Sequence, residues 1–170
     1  MEMPKEKLML RILAQVRGAD RSKLEEGRFD MDDMEKIQET NAKISGWPLK
    51  LDDETRKFSS LIYKIKKQAK NDELDMAIID YFGQIKTPNT GQRRSKQEKL
   101  EEMSHRLQDL AQEVEIPLIV ISQLNRKVEQ RKKKIPKISD LRNTGALEQD
   151  ADVVLLLWRK NYYEEQDGPG

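Results

Sequence analysis

Apolar residues recur at helical spacing in four segments of the chain. The segments cover residues 4–17, 31–44, 58–69 and 95–115, with apolar side chains three or four positions apart. That period is typical of a helix with one buried face. In the last segment Ser95 and Glu98 have the spacing of a capping box. The pattern predicts four amphipathic helices, and Asp30 is suited to cap the second.

Three short runs are apolar without polar alternation, which is typical of strands covered on both faces. They lie at 76–82, 118–122 and 153–158, and a shorter alternating run at 48–51 is a fourth strand candidate. The helix predicted at 95–115 separates the first two runs, and such a unit closes right-handed in a parallel sheet. The predicted fold class is α/β, a parallel β-sheet flanked by helices, in one domain over residues 1–170.

Composition removes several classes of function. The chain has 170 residues, no cysteine and one histidine, which excludes disulfides, cysteine nucleophiles and histidine-rich metal sites. Its apolar runs are far too short to span a bilayer. The N-terminal residues carry acid and lack the apolar core of a secretory signal. We therefore expect a soluble, cytoplasmic, globular protein.

Charge is balanced overall, with 32 Lys+Arg against 31 Asp+Glu, but it is segregated along the chain. Residues 126–137 contain seven Lys/Arg and one acid, and residues 84–96 contain four Lys/Arg and no acid. Each basic run follows a predicted buried strand, where ligands bind in open α/β sheets. Two such loops favour an anionic partner, although a solvated, poorly ordered loop would explain either run by itself.

Two strand ends carry candidate chemistry. Asp80 ends the run 76–80, which resembles the strand of P-loop ATPases whose aspartate holds Mg²⁺ through water. A cap or a loop hydrogen bond is the alternative role for this carboxylate. Ser122 and Gln123 follow the second strand, where many ATPases with a RecA-like core place a polar sensor of the γ-phosphate. The alternative is that both side chains satisfy backbone groups at the end of the strand.

Three longer strings carry a family resemblance: IIDYFGQ, SQLNRKVEQR and SDLRNTGALEQDADVVLLLWR. Together they resemble the motor domain of bacterial and phage replicative DNA helicases of the DnaB type, over residues 1 to about 163. The last two strings are the specific ones, because an acid-ended strand occurs in all RecA-like ATPases. The resemblance implies a RecA-like sheet and a six-membered ring with ATP between neighbours. It also implies a single-stranded DNA substrate, and contact with primase and a helicase loader through other regions.

The resemblance also implies roles for individual residues, with ATP and Mg²⁺ as cofactors. Glu2 matches the glutamate that polarises the attacking water, and Asp80 matches the Mg²⁺-linked aspartate. Gln123 matches the residue that links the γ-phosphate to the DNA-binding loops. The implied DNA contacts are Arg142, Asn143 and Gly145 in the central-channel loop, and the flanking basic residues Arg93, Arg94, Arg126, Lys127 and Arg131.

The sequence departs from the family in two mild substitutions and in one absence that limits the expected activity. Phe82 and Gly83 stand where Leu-Gln is common, and Asn143 replaces an acid. No G-x-x-x-x-G-K-[ST] occurs in the 170 residues. We therefore expect a partial motor that lacks the first strand and the phosphate loop and does not hydrolyse ATP by itself. The alternative is an inactive remnant that binds DNA or intact subunits. SQLNR and EQDAD disfavour a recombinase-like ATPase.

Overall fold

A computed structural model describes residues 3–18, 22–23, 26–28, 30–86, 94–141 and 145–159. The chain divides into two compact units, residues 1–55 and 56–170, and each is described by itself. That the whole chain forms one partial motor domain stays a prediction. No helix in the described ranges is long and apolar enough to cross a membrane.

The first unit is a helix pair, α1 (Lys5–Arg17) and α2 (Met31–Ser45). Leu13, Ala14 and Ile44 form its small buried core. Asp30 begins α2 with a capping box, accepting a 2.7 Å hydrogen bond from the Asp33 backbone N–H. Both predicted helices and the Asp30 cap are confirmed.

The strand predicted at 48–51 is wrong, because these residues form no strand. Pro48 has no N–H to donate to a ladder. The N–H of Leu49 instead donates to the Trp47 carbonyl at 2.7 Å, which closes a tight local turn.

The second unit contains the sheet. Its elements are α3 (Phe58–Lys70), β1 (Ala77–Ile79), α4 (Lys96–Val114), β2 (Leu118–Val120) and α5 (Gly145–Asp150). Strands β1 and β2 are parallel, with Ala77 opposite Leu118 and Ile79 opposite Val120. The predicted β-α-β unit is confirmed, although each strand is shorter than its apolar run.

Helices α3 and α4 cover one face of the sheet. Their apolar faces meet the strands in one core made of Phe58, Ile62, Ile65, Ile79, Phe82, Leu100, Met103, Leu107 and Leu110. The predicted capping box begins α4, because Ser95 Oγ accepts from the Glu98 N–H and the Glu98 carboxylate accepts from the Ser95 N–H at 2.6 Å. The cap fixes where α4 starts and therefore where its apolar stripe meets the sheet.

On the opposite face of the sheet, apolar side chains of both strands are exposed in the described part of the chain. Ile78 is 62% exposed and Ile119 is 46% exposed. Residues 153–158 form no strand, contrary to prediction, and Leu157 is 88% exposed. A strand exists only where a neighbour completes its hydrogen-bond ladder, and this run pairs with none of the described residues.

Candidate functional site

Asp80 lies directly after β1, at the edge of the sheet where both parallel strands end. Two backbone hydrogen bonds hold this position against the residue that follows β2. The N–H of Ile121 donates to the Ile79 carbonyl at 3.0 Å, and the N–H of Phe82 donates to the Ile121 carbonyl at 2.9 Å. The backbone on either side of the half-buried Asp80 is therefore held at the open edge.

The metal-binding chemistry of this edge is limited. No group of three or more carboxylate or imidazole side chains that could hold a metal ion occurs within the described ranges. A single carboxylate suits Mg²⁺, which keeps several of its waters in nucleotide sites and takes one or two protein carboxylates. Asp80 therefore fits a water-mediated magnesium contact.

The turn after Asp80 explains one departure from the family pattern. Phe82 is buried in the core, 1% exposed, where the family often has leucine. A Cβ on Gly83 would lie 2.8 Å from Cε2 of Tyr81. The glycine therefore leaves room for the aromatic ring beside Asp80.

Gln123 follows β2 and is exposed. The next residues join its segment to a second one: Leu124 forms an antiparallel bridge with Leu141, and the Asn125 N–H donates to the Asp140 carbonyl at 2.7 Å. Residue 141 immediately precedes the predicted DNA-binding positions 142 and 143. The polar end of β2 is thus connected through the backbone to the start of the predicted DNA-binding loop.

The basic run 126–137 is folded back on itself. Asn125 Oδ1 accepts from the Lys127 N–H at 3.1 Å and begins a short 3-10 turn in which Val128 is 4% exposed. This packing contradicts a fully solvated loop. Arg126 and Lys127 are exposed on the turn.

Arg131 differs from its basic neighbours. Its guanidinium bonds the buried carboxylate of Asp140, which also accepts from the Lys137 N–H at 2.8 Å. The Arg131 guanidinium, and after it the Lys137 N–H, hold the pKa of Asp140 below its usual range despite burial. In the structure Arg131 binds the carboxylate of Asp140 within the loop, whereas the sequence predicts that Arg131 contacts DNA.

Helix α5 is held onto α4 through Asp150, an interaction that we call the Asp150 contact. Ser104 Oγ donates to Asp150 Oδ2 at 2.5 Å, and His105 Nδ1 lies 2.9 Å from Asp150 Oδ1. Gln108 Nε2 donates to the Asp150 carbonyl at 3.2 Å. Ser104 is 2% exposed, so this contact is partly buried.

The sequence does not predict the Asp150 contact. Ser104 and Gln108 lie one turn apart on α4, which is a weak polar signal, and their partner lies more than forty residues away. The contact has a consequence for the loop at 142–144. The bridge to Leu124 holds Leu141, the residue before that segment. The residue after it, Gly145, is held as the first residue of α5.

The remaining predicted residues are placed as follows. Arg94 lies just before α4 and forms an ion pair with Glu102 at 2.7 Å. Gly145 opens α5 and is exposed. Four predicted site residues lie outside the described ranges: Glu2, Arg93, Arg142 and Asn143.

Comparison with known proteins gives a consistent result. Residues 1–169 match a family model described as the DnaB-like helicase C terminal domain. The chain is 34% identical to a probable plasmid replicative DNA helicase of Chlamydia psittaci, covering 100% of the chain and 37% of that relative. It is 36% identical to the replicative DNA helicase DnaB of Mycobacterium leprae, covering 100% of the chain and 28% of that relative.

Solved structures agree with the fold. One is described as a DnaB-like replicative helicase and its interactions with primase; it has a TM-score of 0.87 and 28% identity, over 96% of this chain and 40% of the relative. A second, an ATPase domain, has a TM-score of 0.87 and 28% identity, over 97% of this chain and 59% of the relative. The α/β, RecA-like fold is confirmed, and the chain spans less than two thirds of each of these four relatives.

Proposed function

Because the chain belongs to the family of DnaB-like helicase C-terminal domains, we propose that it is part of an ATP-dependent replicative DNA helicase. That motor translocates on single-stranded DNA and unwinds the duplex at the replication fork. One observation carries the proposal for this chain. The backbone joins the polar end of β2 to the residue before position 142, which supports a link between the proposed γ-phosphate sensor and the proposed DNA-binding loop.

On the nucleotide side, Asp80 would hold Mg²⁺ through water and Gln123 would bond a γ-phosphate oxygen. An amide suits that position because it donates a hydrogen bond without adding charge. Glu2 orients the attacking water. Mg²⁺ held there would supply positive charge to the phosphates.

On the DNA side, Arg142, Asn143 and Gly145 grip the strand. An arginine and backbone N–H groups bind phosphates whatever the base, which a translocating motor requires. Arg93, Arg94, Arg126 and Lys127 add charge around this loop. The ion pair with Asp140 favours a different role for Arg131, which positions the basic loop rather than binding phosphate.

The assembly and the partners are likewise proposed, from what the family implies. The intact protein forms a hexameric ring, and primase and a helicase loader meet it through regions outside this chain. A structural relative is itself described with its interactions with primase.

The nucleotide chemistry of this chain alone is limited. The sequence contains no G-x-x-x-x-G-K-[ST], the loop that wraps phosphates with backbone N–H groups and supplies a lysine. We expect the purified 170-residue chain not to bind Mg·ATP saturably at micromolar nucleotide, as measured by isothermal titration calorimetry. Saturable binding would contradict this expectation.

The same sequence observation supports a second candidate function, a non-hydrolysing module that binds DNA or pairs with intact subunits. The two candidate functions differ in whether the chain can support DNA-dependent ATP hydrolysis. A functional part of the motor restores DNA-dependent ATP hydrolysis when it is joined to a phosphate-loop segment of a relative, whereas an inactive module does not.

The DNA-binding part of the proposal is tested by salt. If the chain engages single-strand phosphates, its affinity for oligothymidylate should fall with salt, with a log–log slope of roughly −0.7 for each phosphate. Fluorescence anisotropy at several salt concentrations gives the slope. An affinity that does not change with salt would contradict the proposed binding of nucleic acid.

A further inference from the structure

Helix α3 carries a concentration of positive charge that the proposed site does not use. Residues 55–71 contain no acid and six Lys/Arg, namely Arg56, Lys57, Lys64, Lys66, Lys67 and Lys70. The chain as a whole is balanced, so the local imbalance is not a consequence of composition. The excess of positive charge therefore has a cause either in the packing of the fold or in the binding of a partner.

Folding sorts these residues onto the outer side of α3. Phe58, Ile62 and Ile65 fill the core on the inner side. Tyr63, Lys67 and Lys70 are exposed, and their spacing of four and three residues puts them on one face of the helix. Lys66 is half-buried and pairs with Glu113 on α4. We call the exposed set Arg56, Lys57, Tyr63, Lys67 and Lys70 the α3 stripe.

The α3 stripe begins at the carboxyl edge of the sheet. Lys57 bridges to Lys86 in parallel, and the Lys86 N–H donates to the Arg56 carbonyl at 2.8 Å. Lys86 is the first cation of the basic run 84–96, so the stripe continues that run. From there the α3 stripe follows the 13 residues of the helix, which extend for about 20 Å away from the edge.

Tyr63 gives the surface a second property. Tyr63 is 68% exposed and lies on the same helix face as Lys67 and Lys70 rather than in the core. Proteins that bind single strands without sequence preference combine a cationic track with aromatic side chains on which bases stack. An acidic polypeptide would match the charge but would leave the ring unused.

We propose that the α3 stripe binds a second single strand of nucleic acid, separate from the strand at residues 142–145. This inference rests on the proposed function, because unwinding a duplex yields two single strands and the loop at 142–145 holds one. Lys67 and Lys70 contact phosphates, and Tyr63 stacks on a base. The stripe leads away from the carboxyl edge and so keeps the two strands apart.

The number of strands bound per chain tests the inference. The probe is an oligothymidylate of about 12 nucleotides, within the range of about 4–16 that one single-strand site takes. Native mass spectrometry and stoichiometric anisotropy titration of the full chain count the bound strands. We expect two strands on the unaltered chain and one on Lys67→Glu/Lys70→Glu.

Matched variants distinguish an effect of the α3 stripe from effects of net charge and of misfolding. Lys7→Glu/Arg11→Glu makes the same charge change at exposed positions of α1 and should leave two strands bound. Tyr63→Ala removes only a ring from the surface and should weaken the second binding step about tenfold. Circular dichroism checks that each variant remains folded.

The outcomes distinguish this inference from the proposed function. Two strands on Lys67→Glu/Lys70→Glu, or a single strand on the unaltered chain that this variant still binds, would overturn the inference. A single strand that this variant loses would count against the proposed DNA loop and leave the α3 stripe standing. Binding of poly-glutamate that disappears in this variant, with DNA stoichiometry unchanged, would assign the stripe to an acidic protein and also overturn it. If Arg142→Ala leaves both strands bound, the proposed DNA loop fails while the α3 stripe stands.

Discussion

A single carboxylate organises the most basic loop of the chain. Asp140 is 3% exposed and accepts from the Arg131 guanidinium and from the Lys137 backbone N–H. It thereby ties the middle of the basic run to its C-terminal end, although the cations of the run repel one another. Because the Asp140 carbonyl also accepts from the Asn125 N–H, the same residue connects the loop to the end of β2.

The ion pair predicts a pH dependence of stability. A carboxyl whose pKa is lowered in the folded state stabilises the fold above its unfolded pKa of about 3.9, and that contribution disappears as pH falls through the folded pKa. We expect Asp140→Asn to be less stable than the unaltered chain near neutral pH. The difference should narrow once pH falls below about 4.

Urea denaturation between about pH 7 and about pH 3 measures this difference. Asp109→Asn, at an exposed position of α4, is the control and should show a small effect throughout. A constant penalty for Asp140→Asn over the whole range would contradict the role of the ion pair.

The sequence alone does not predict this arrangement. A run of seven cations is naturally interpreted as a set of phosphate ligands, which groups Arg131 with Arg126 and Lys127. The carboxylate that binds Arg131 lies nine residues further on, in a segment whose pattern is that of a helix cap. Only the folded loop brings the two side chains together.

At the scale of elements, local patterns predict helices well and strands less well. Ser95 and Glu98 mark the start of α4 within the sequence itself, and the structure confirms this cap. A strand depends on a neighbour that sequence periodicity does not contain. Residues 76–82 and 118–122 find each other as β1 and β2, whereas 153–158 pairs with no described residue.

The Asp150 contact between α4 and α5 predicts an effect on stability. Ser104→Ala removes a buried hydrogen bond to a carboxylate, so the free energy of unfolding should fall by roughly 1.5–3 kcal/mol. Single-strand affinity should fall as well, because α5 fixes the residue after position 144.

Urea denaturation and anisotropy titration measure the two effects. Ser60→Ala, at an exposed position of α3, should change neither quantity appreciably. Reduced stability with unchanged affinity would show that the Asp150 contact supports the fold without positioning the DNA-binding loop.

At the scale of the whole molecule, the sequence predicts the family more completely than it predicts the fold. SQLNR and EQDAD identify the family because they combine residue types that helix and strand periodicity do not require. The family match over residues 1–169 confirms that identification. The division into two compact units is not predictable in this way, since no linker composition marks residue 55.

The segment after Leu141 is central to the proposed function, in which it binds the backbone of a single strand. Replacing Arg142 with alanine tests this most directly, with Arg11→Ala, at an exposed position of α1, as the matched control. Anisotropy titrations against oligothymidylate, oligodeoxyadenylate and a mixed sequence should show a similar fall in affinity for all three. The salt slope should become shallower by roughly 0.7 for each phosphate that the variant no longer binds. An affinity equal to that of Arg11→Ala, or a fall confined to one base sequence, would contradict the account.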